Sequence, residues 1–265
     1  MSSNLPNNML FFDMNYGEYA SITGTNIVTE TVDYGRDNRS DSLVEFNDYS
    51  GEYVFNFTAT TGYFEIDSLL VSNHNFLNVN LQLNTGTAWY TANSYSALSA
   101  SDIYLELSAT VQCYGAKLAY TAVQDSTTTG FLGEFIVTKK KFQLGCNPNT
   151  YVPTFETFGP EKKSWDGKLV FNERSDIFSA NMGFNFLEGD ANTLTNTDLQ
   201  NMTELARKKT TFLFWPNANN DFVNMYTWRK QDIFKCKIMG VVSYEFSASN
   251  LTNYIKATFD IVETK

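Results

Sequence analysis

The sequence predicts an all-β, mainly antiparallel protein of two β-sandwich-type modules, the second carrying one short α-helix. Three observations lead there. Apolar and polar residues alternate along several stretches, the period of a strand with one buried face. The polar residues are dominated by Asn, Thr and Ser, which suit turns and strand surfaces and are poor helix formers. Long helical patterns alternating with strands are missing, which argues against an α/β enzyme fold.

Taken in order, Tyr53, Phe55 and Phe57 alternate with Val54 and Asn56. Leu77, Val79, Leu81 and Leu83 share one face, with Asn78, Asn80 and Gln82 on the other. Ile103, Leu105, Leu107, Ala109, Val111 and Cys113 form an inward series opposite Glu106, Ser108, Thr110 and Gln112. Residues 117–123 are expected to pair with 133–137 as a hairpin across the turn-rich segment 124–130. Near the C-terminus, Ile238, Gly240, Val242, Tyr244 and Phe246 face Ile255, Ala257, Phe259 and Ile261 across a polar turn at 247–252. One helix is expected near 197–209. Thr197 and Gln200 offer a capping box, Leu199, Met202, Leu205 and Ala206 recur at helical spacing, and Arg207, Lys208 and Lys209 suit its C-terminal end.

Residues 145–160 hold three of the five prolines and break every period, so they mark a boundary. The expected organisation is a module at 1–145, a linker at 146–159 and a second β-rich module at 160–265. No internal repeat is evident.

Composition narrows the function classes. With 43% hydrophobic and 15% aromatic residues, the 265-residue chain can bury a core and is not a disordered segment. Its 19 basic against 29 acidic residues give a net charge of −10, which repels a phosphate backbone and argues against a nucleic-acid partner. The dense basic run Lys139-Lys140-Lys141 reads as a solvated strand end or a guard against aggregation. Residues 1–8 lack the pattern of a signal peptide, and no stretch has the apolar length of a membrane span. Three cysteines (Cys113, Cys146, Cys236) without a CxxC pair argue against both a disulfide framework and a zinc site, and fit synthesis in a reducing cytoplasm. Sequons at Asn38, Asn56, Asn201 and Asn250 follow from the Asn and Thr content.

Catalytic patterns are scarce. His74 is the one histidine, and no GxSxG, HExxH, P-loop or GxGxxG string accompanies it. It reads as a structural turn residue, and Cys113 as a core residue with no nearby base to activate it. Glu65/Asp67, Glu188/Asp190 and Glu204 leave a carboxylate-based glycoside hydrolase open. Asp33, Asp37 and Asp41 could offer oxygen ligands to calcium, but that loop lacks the EF-hand pattern and reads as a solvated turn. No cofactor motif is present. Aromatics beside turns are more telling: Trp89, Tyr90, Tyr95, Trp165, Trp215 and Trp228. Of these, Trp89, Tyr90, Trp215 and Trp228 are the candidates for ligand or interface contact.

The stretch Phe64-Glu-Ile-Asp-Ser-Leu-Leu-Val-Ser-Asn-His-Asn-Phe76 resembles a string in bacteriophage tail proteins with a galactose-binding-like, discoidin-type sandwich. Leu132-Gly-Glu-Phe-Ile-Val137 looks like a later strand of the same proteins. The second half is similar through the strand at 167–171, the capped helix, Phe-Leu-Phe-Trp-Pro-Asn217 and closing strands between 233 and 262. The resemblance implies a non-catalytic structural protein of a tail or tail tip, made in the host cytoplasm and assembled into the virion as a homo-oligomer. Its implied partners are itself, other tail proteins and a host-surface glycan or protein, with no membrane insertion. Fold alone does not establish sugar binding. A stand-alone carbohydrate-binding module remains the alternative.

Overall fold

The structure is a computed structural model that describes residues 9–37, 42–57, 62–99, 102–144, 146, 148–156, 161–163, 169–171, 177–187, 194–216, 233–249 and 252–264. Its strands begin with β1 (Leu10–Phe12), β2 (Ser21–Thr25), β3 (Val44–Glu45), β4 (Gly51–Asn56), β5 (Phe64–His74) and β6 (Phe76–Asn84). They continue with β7 (Trp89–Tyr95), β8 (Ile103–Cys113), β9 (Gly115–Val123), β10 (Phe131–Thr138), β11 (Lys140–Gln143) and β12 (Thr150–Glu156). The remainder are β13 (Glu161–Lys163), β14 (Leu169–Phe171), β15 (Ile177–Leu187), helix α1 (Asn196–Lys208), β16 (Phe212–Trp215), β17 (Phe234–Ser249) and β18 (Thr252–Glu263).

Two compact units result, and their boundary departs from the one expected at 146–159. Phe12–Lys141 forms one, while residues up to Phe11 join those from Phe142 onward in the other. The prolines of 145–160 do not make a free linker, because β12 lies inside that segment and pairs with β15 from Thr150↔Gly183 to Glu156↔Ile177. Pro153 is tolerated there because β12 is the edge strand of its sheet.

The 12–141 unit is an antiparallel sandwich. One sheet runs β3-β10-β5-β8 and the other β2-β4-β9-β6-β7. Their facing side chains make one core, with Tyr53, Phe55, Leu81, Leu83 and Leu118 from the larger sheet and Ile66, Leu69, Val71, Phe135 and Val137 from the smaller. Phe55 and Phe135 stack across the gap, centroids 5.3 Å apart and planes within 5°.

The expected hairpin between 117–123 and 133–137 does not form. β9 pairs with β4 and β6, whereas β10 pairs with β3 and β5, so 124–130 crosses from one sheet to the other. β9 buries mainly one face, whereas β10 is buried along nearly its whole length, and the two meet face to face from opposite sheets. Asn75 ties down the crossing. Its carbonyl accepts from Gln124 N–H at 2.7 Å, its Oδ1 from Phe131 N–H at 2.8 Å, and its Nδ2 donates to Thr129 O at 2.9 Å.

Tyr53 and Phe55 of β4 and the following Phe57 are fully buried, but Val54 between them is buried as well, at 8% exposure. Along β6, register shifts next to Phe76 turn that residue inward and leave the expected Leu77 half-buried. On edge strand β8, Ile103 and Cys113 are buried but Ala109 is exposed, because its pairing with β5 skips from Glu106 to Val111.

The other unit is a seven-stranded sheet, β11-β1-β16-β17-β18-β15-β12, with β13 and β14 paired separately. The C-terminal hairpin turns more tightly than expected, Ser249 lying opposite Thr252. Phe178, Met182 and Phe184 of β15, Phe212 and Phe214 of β16, and Phe259 and Ile261 of β18 form its core together with Met202 and Leu205 of α1. The helix starts two residues earlier than the sequence suggests. Thr195 is the N-cap and Asp198 completes the capping box, since the Thr195 hydroxyl accepts from Asp198 N–H at 3.1 Å. An Asp at the third position serves where the expected box placed Gln200, and the helix ends at Lys209 in the left-handed conformation (φ 51°).

Truncating Phe55→Ala removes half of the inter-sheet stack, and we expect a loss of about 3–5 kcal/mol in urea unfolding free energy. A loss below about 1 kcal/mol would show that the sandwich does not depend on this ring.

Candidate binding face

The outward face of the five-stranded sheet follows from the inward one. Because Tyr53 and Phe55, Leu118 and Tyr120, and Leu81 and Leu83 point into the core, their neighbours Glu52, Lys117, Gln82 and Asn84 point out. Five strands at about 4.8 Å spacing give a face about 19 Å across.

The β6–β7 turn delivers an aromatic to this face. Gly86 adopts φ +102°, a conformation that favours glycine, and its N–H donates to Asn84 Oδ1 at 2.8 Å. β7 then begins with Trp89 opposite Asn84, and Asn84 is itself opposite Gly115, which is opposite Asn56. Trp89 reaches back over Gly115. A Cβ on that glycine would sit 3.1 Å from the indole and 2.8 Å from Phe55 O, so only glycine allows this close approach. Lys117 Nζ lies 5.4 Å from the Trp89 ring centroid and 3.2 Å from Glu52 Oε1. The indole is thus held against the Gly115 backbone, with the Lys117 cation over its ring, while the residue stays 37% exposed. Nearby in sequence register, Tyr114 packs under Gly86 and meets Tyr63 at 5.5 Å between centroids.

Of the other aromatics singled out from sequence, Tyr90 follows Trp89 on β7, opposite Leu83, and is 38% exposed. Trp215 belongs to the second unit, where it is buried at 9% and not available at the surface. Its position at the end of the buried strand Phe-Leu-Phe-Trp explains the difference. Trp165 and Trp228 lie outside the described residues. Sequence reasoning missed Gly115, Lys117 and Glu52. Strand parity could have placed the two charged residues on one face, but nothing local marks their approach to Trp89.

His74 ends β5 at the corner before β6 and is 2% exposed. The preceding Asn73 has φ 50°, which turns the chain. His74 Nδ1 accepts from Phe76 N–H at 3.1 Å, and the imidazole stacks on the Phe76 ring, 5.1 Å between centroids. Nε2 has no hydrogen-bond partner, so nothing compensates a buried charge. Burial accordingly lowers its pKa to about 4. Burial likewise pushes the Cys113 thiol up to about 12 and Cys146 to about 11, and raises Cys236 well above its usual value. None of these thiols is a thiolate at neutral pH, and all three are free cysteines.

The carboxylates considered for hydrolysis are engaged in pairing. Glu65 meets Lys139 Nζ at 2.8 Å, and Asp67 Oδ1 accepts from Lys140 N–H at 2.7 Å. Lys140 also pairs with Glu106, whose pKa this bond lowers, and Lys141 with Asp13 at 3.2 Å. The lysine run is therefore a set of partnered cations and not a free solvated end. Glu204 pairs with Lys208 along α1. Glu188 and Asp190 lie outside the described residues, as does Asp41. Asp33 is held by Arg36 at 2.5 Å, and the Asp33–Asp37 part of that loop is a 3-10 turn with its following residue. Among the described residues, no group of three or more His, Cys, Asp or Glu side chains could hold a metal ion, and no helix is long and apolar enough to cross a membrane.

No family model matches the chain, and no curated protein does. Solved structures with similar coordinates include chitosan-binding module 1 of a Paenibacillus chitosanase/glucanase, at 12% identity and TM-score 0.41, covering 48% of this chain and 98% of that one. CpGH89CBM32-4 from Clostridium perfringens, in complex with GlcNAc-α-1,4-galactose, aligns at 10% identity and TM-score 0.41 over 48% of this chain and 94% of that one. SpGH29 aligns at 12% identity and TM-score 0.39, and there the chain spans only 27% of the other protein. Likeness at this level decides neither ligand nor activity.

The depressed pKa of His74 has a stability consequence. As pH falls, the unfolded chain takes up the proton near 6.5 while the folded chain resists until about 4. The contribution is complete above pH 6.5 and is lost on the way down to about 4, roughly 3 kcal/mol in all. Urea unfolding at pH 7 and pH 4.5 should show a smaller pH-dependent loss in His74→Gln than in the parent. Equal losses would mean that the buried imidazole is not what resists protonation.

Proposed function

We propose that this chain is a non-catalytic binding protein whose 12–141 sandwich presents the face around Trp89 to a glycan. The exposed indole clamped over Gly115 carries this reading. A sugar ring offers an apolar face of C–H groups, and a rigid aromatic plane receives it at low entropic cost. On the same face, by register, stand the polar side chains Asn56, Asn84, Lys117 and Glu52. The Lys117–Glu52 pair is neutral as a unit, and the chain's charge of −10 opposes anionic ligands, so a neutral glycan fits best. What supports this reading is the face itself, not the alignments.

Non-catalytic action agrees with the protonated thiols and the neutral, buried imidazole. A second reading, assembly as a tail component of a virion, draws on the resemblance of residues 64–76 and on the uncharged edge strand β7. Under it the glycan would belong to a host surface, and the virion tail would be the protein's location. The two readings differ in whether a defined oligomer exists.

A screen of neutral and anionic glycans followed by calorimetry tests the first reading. We expect binding to a neutral glycan to weaken about tenfold or more in Trp89→Ala, about 1.4 kcal/mol or above, with the fold retained by circular dichroism. Undiminished affinity in Trp89→Ala, or no binding by the parent, would overturn it.

A further inference from the structure

We propose that Glu52 sets the charge of the ligand that the Trp89 face accepts, by holding Lys117 in an ion pair and so closing a site for the carboxylate of an acidic sugar. The inference rests on the reading of this face as a glycan site and names the residue that decides which glycans enter. The five strands of its sheet, β2, β4, β6, β7 and β9, contain one acidic and one basic residue, Glu52 and Lys117. The opposite sheet is different: β3, β5, β8 and β10 carry Glu45, Glu65, Asp67, Glu106 and Glu134 and no lysine or arginine. Lys117 is therefore the one lysine or arginine in the strands of these two sheets, and it stands beside the exposed indole.

Register explains how the pair forms. Lys117 lies directly opposite Val54 on β4 and Gln82 on β6, neither of them charged. Glu52 lies opposite Ala119, two residues further along β9, and opposite Thr25 on β2. The ion pair is thus a diagonal contact across β4 and β9, within reach of two long side chains. Nζ settles 3.2 Å from Glu52 Oε1 and 5.4 Å from the centroid of the Trp89 ring. An ammonium has three donors. One goes to Glu52 and another side of the group faces the ring, which leaves a donor for a molecule stacked there. Glu52 is the more exposed partner, 39% against 19% for the lysine side chain, so an incoming ligand meets the carboxylate together with the ammonium.

A sugar ring stacked on the indole turns its substituents outward around the plane, within range of Nζ. A hydroxymethyl group takes the remaining donor as a neutral partner. A carboxylate in its place meets a cation already neutralised and a like charge beside it, whose repulsion offsets the attraction of the ammonium. Without the charge of Glu52, the same ammonium is an uncompensated cation next to a stacking plane, and it can form a charge-assisted hydrogen bond. The chain's net charge of −10 acts over longer range and is screened beyond about 8 Å at physiological salt. At contact distance the local pair outweighs it.

Matched glycans test the idea: oligomers of glucose and of galactose against oligomers of glucuronic and of galacturonic acid, which replace each hydroxymethyl by a carboxylate. The readout is the ratio of uronate to neutral affinity by calorimetry. Glu52→Gln should raise it about tenfold or more, and added salt should shrink the gain. Glu52→Thr, with a good strand former, should act alike if the amide disturbs folding. Adding Lys117→Gln to either should abolish the gain. Glu45→Gln on β3 makes the same change in net charge away from this face and should leave the ratio where it was. An unchanged ratio in folded Glu52 variants would overturn the proposal, as would an equal rise in Glu45→Gln or a gain that outlives Lys117→Gln. If the parent binds no neutral oligomer, the glycan reading of the face fails while the variants still decide the gate. Uronate binding that depends on Lys117 then upholds it, and no uronate binding overturns it.

Discussion

The rings that fill the gap between the two sheets of the 12–141 unit fix almost everything else in it. Phe55 lies flat on Phe135, Tyr16 on Phe64, and Phe76 on Tyr120, with Phe46 edge-on to the last pair. Flat rings between sheets that pack about 10 Å apart leave little freedom to slide, because a slip of one residue would turn every ring outward. The outward face inherits this rigidity. Trp89, Lys117 and Glu52 stand where they do because Leu83, Leu118 and Tyr53 have no alternative to the interior.

Polar side chains placed inside the unit complete the backbone where strands stop. Asn15 is fully buried and takes N–H bonds from Gly17 at 3.0 Å and Val137 at 3.2 Å while donating to Phe135 O at 3.4 Å. Asn75 does the same for the crossing between sheets, and His74 for the corner before β6. Each leaves few buried backbone groups unpaired, which would otherwise cost about as much as a lost hydrogen bond. The Asn-His-Asn string is thus a device for turning the chain between two sheets, and its chemistry is consumed in doing so.

Much of the fold was legible in the sequence, because period-2 alternation is a direct readout of burial. β4, β6 and the closing hairpin β17–β18 were all visible in this way. What alternation does not encode is partnership. An apolar strand can pair beside its sequence neighbour or pack across from it, and β9 and β10 took the second course. Proline frequency failed at 145–160 for a related reason, since an edge strand accepts Pro153 as readily as a linker does. At the candidate site, Trp89 and Tyr90 were found from residue type alone. Gly115 and Lys117 were not, because they reach Trp89 only through registers that span 26 and 28 residues of chain. Trp215 shows the converse: an aromatic beside a turn can still end a buried strand.

The return of residues 9–11 to the sheet of the C-terminal unit bears on how the protein is made. A ribosome releases the sandwich of 12–141 with all its strands in hand, so it can fold while synthesis continues. In the other unit the strand β1 lies between β11 and β16, so its second lateral neighbour exists only once Phe212–Trp215 is made, and the sheet beyond it waits for β17 and β18. Until then β1 is an apolar Leu-Phe-Phe segment with β11 alone beside it. Its pairing with the far end of the chain is a contact of high sequence separation, which places completion of that sheet among the slow steps of folding.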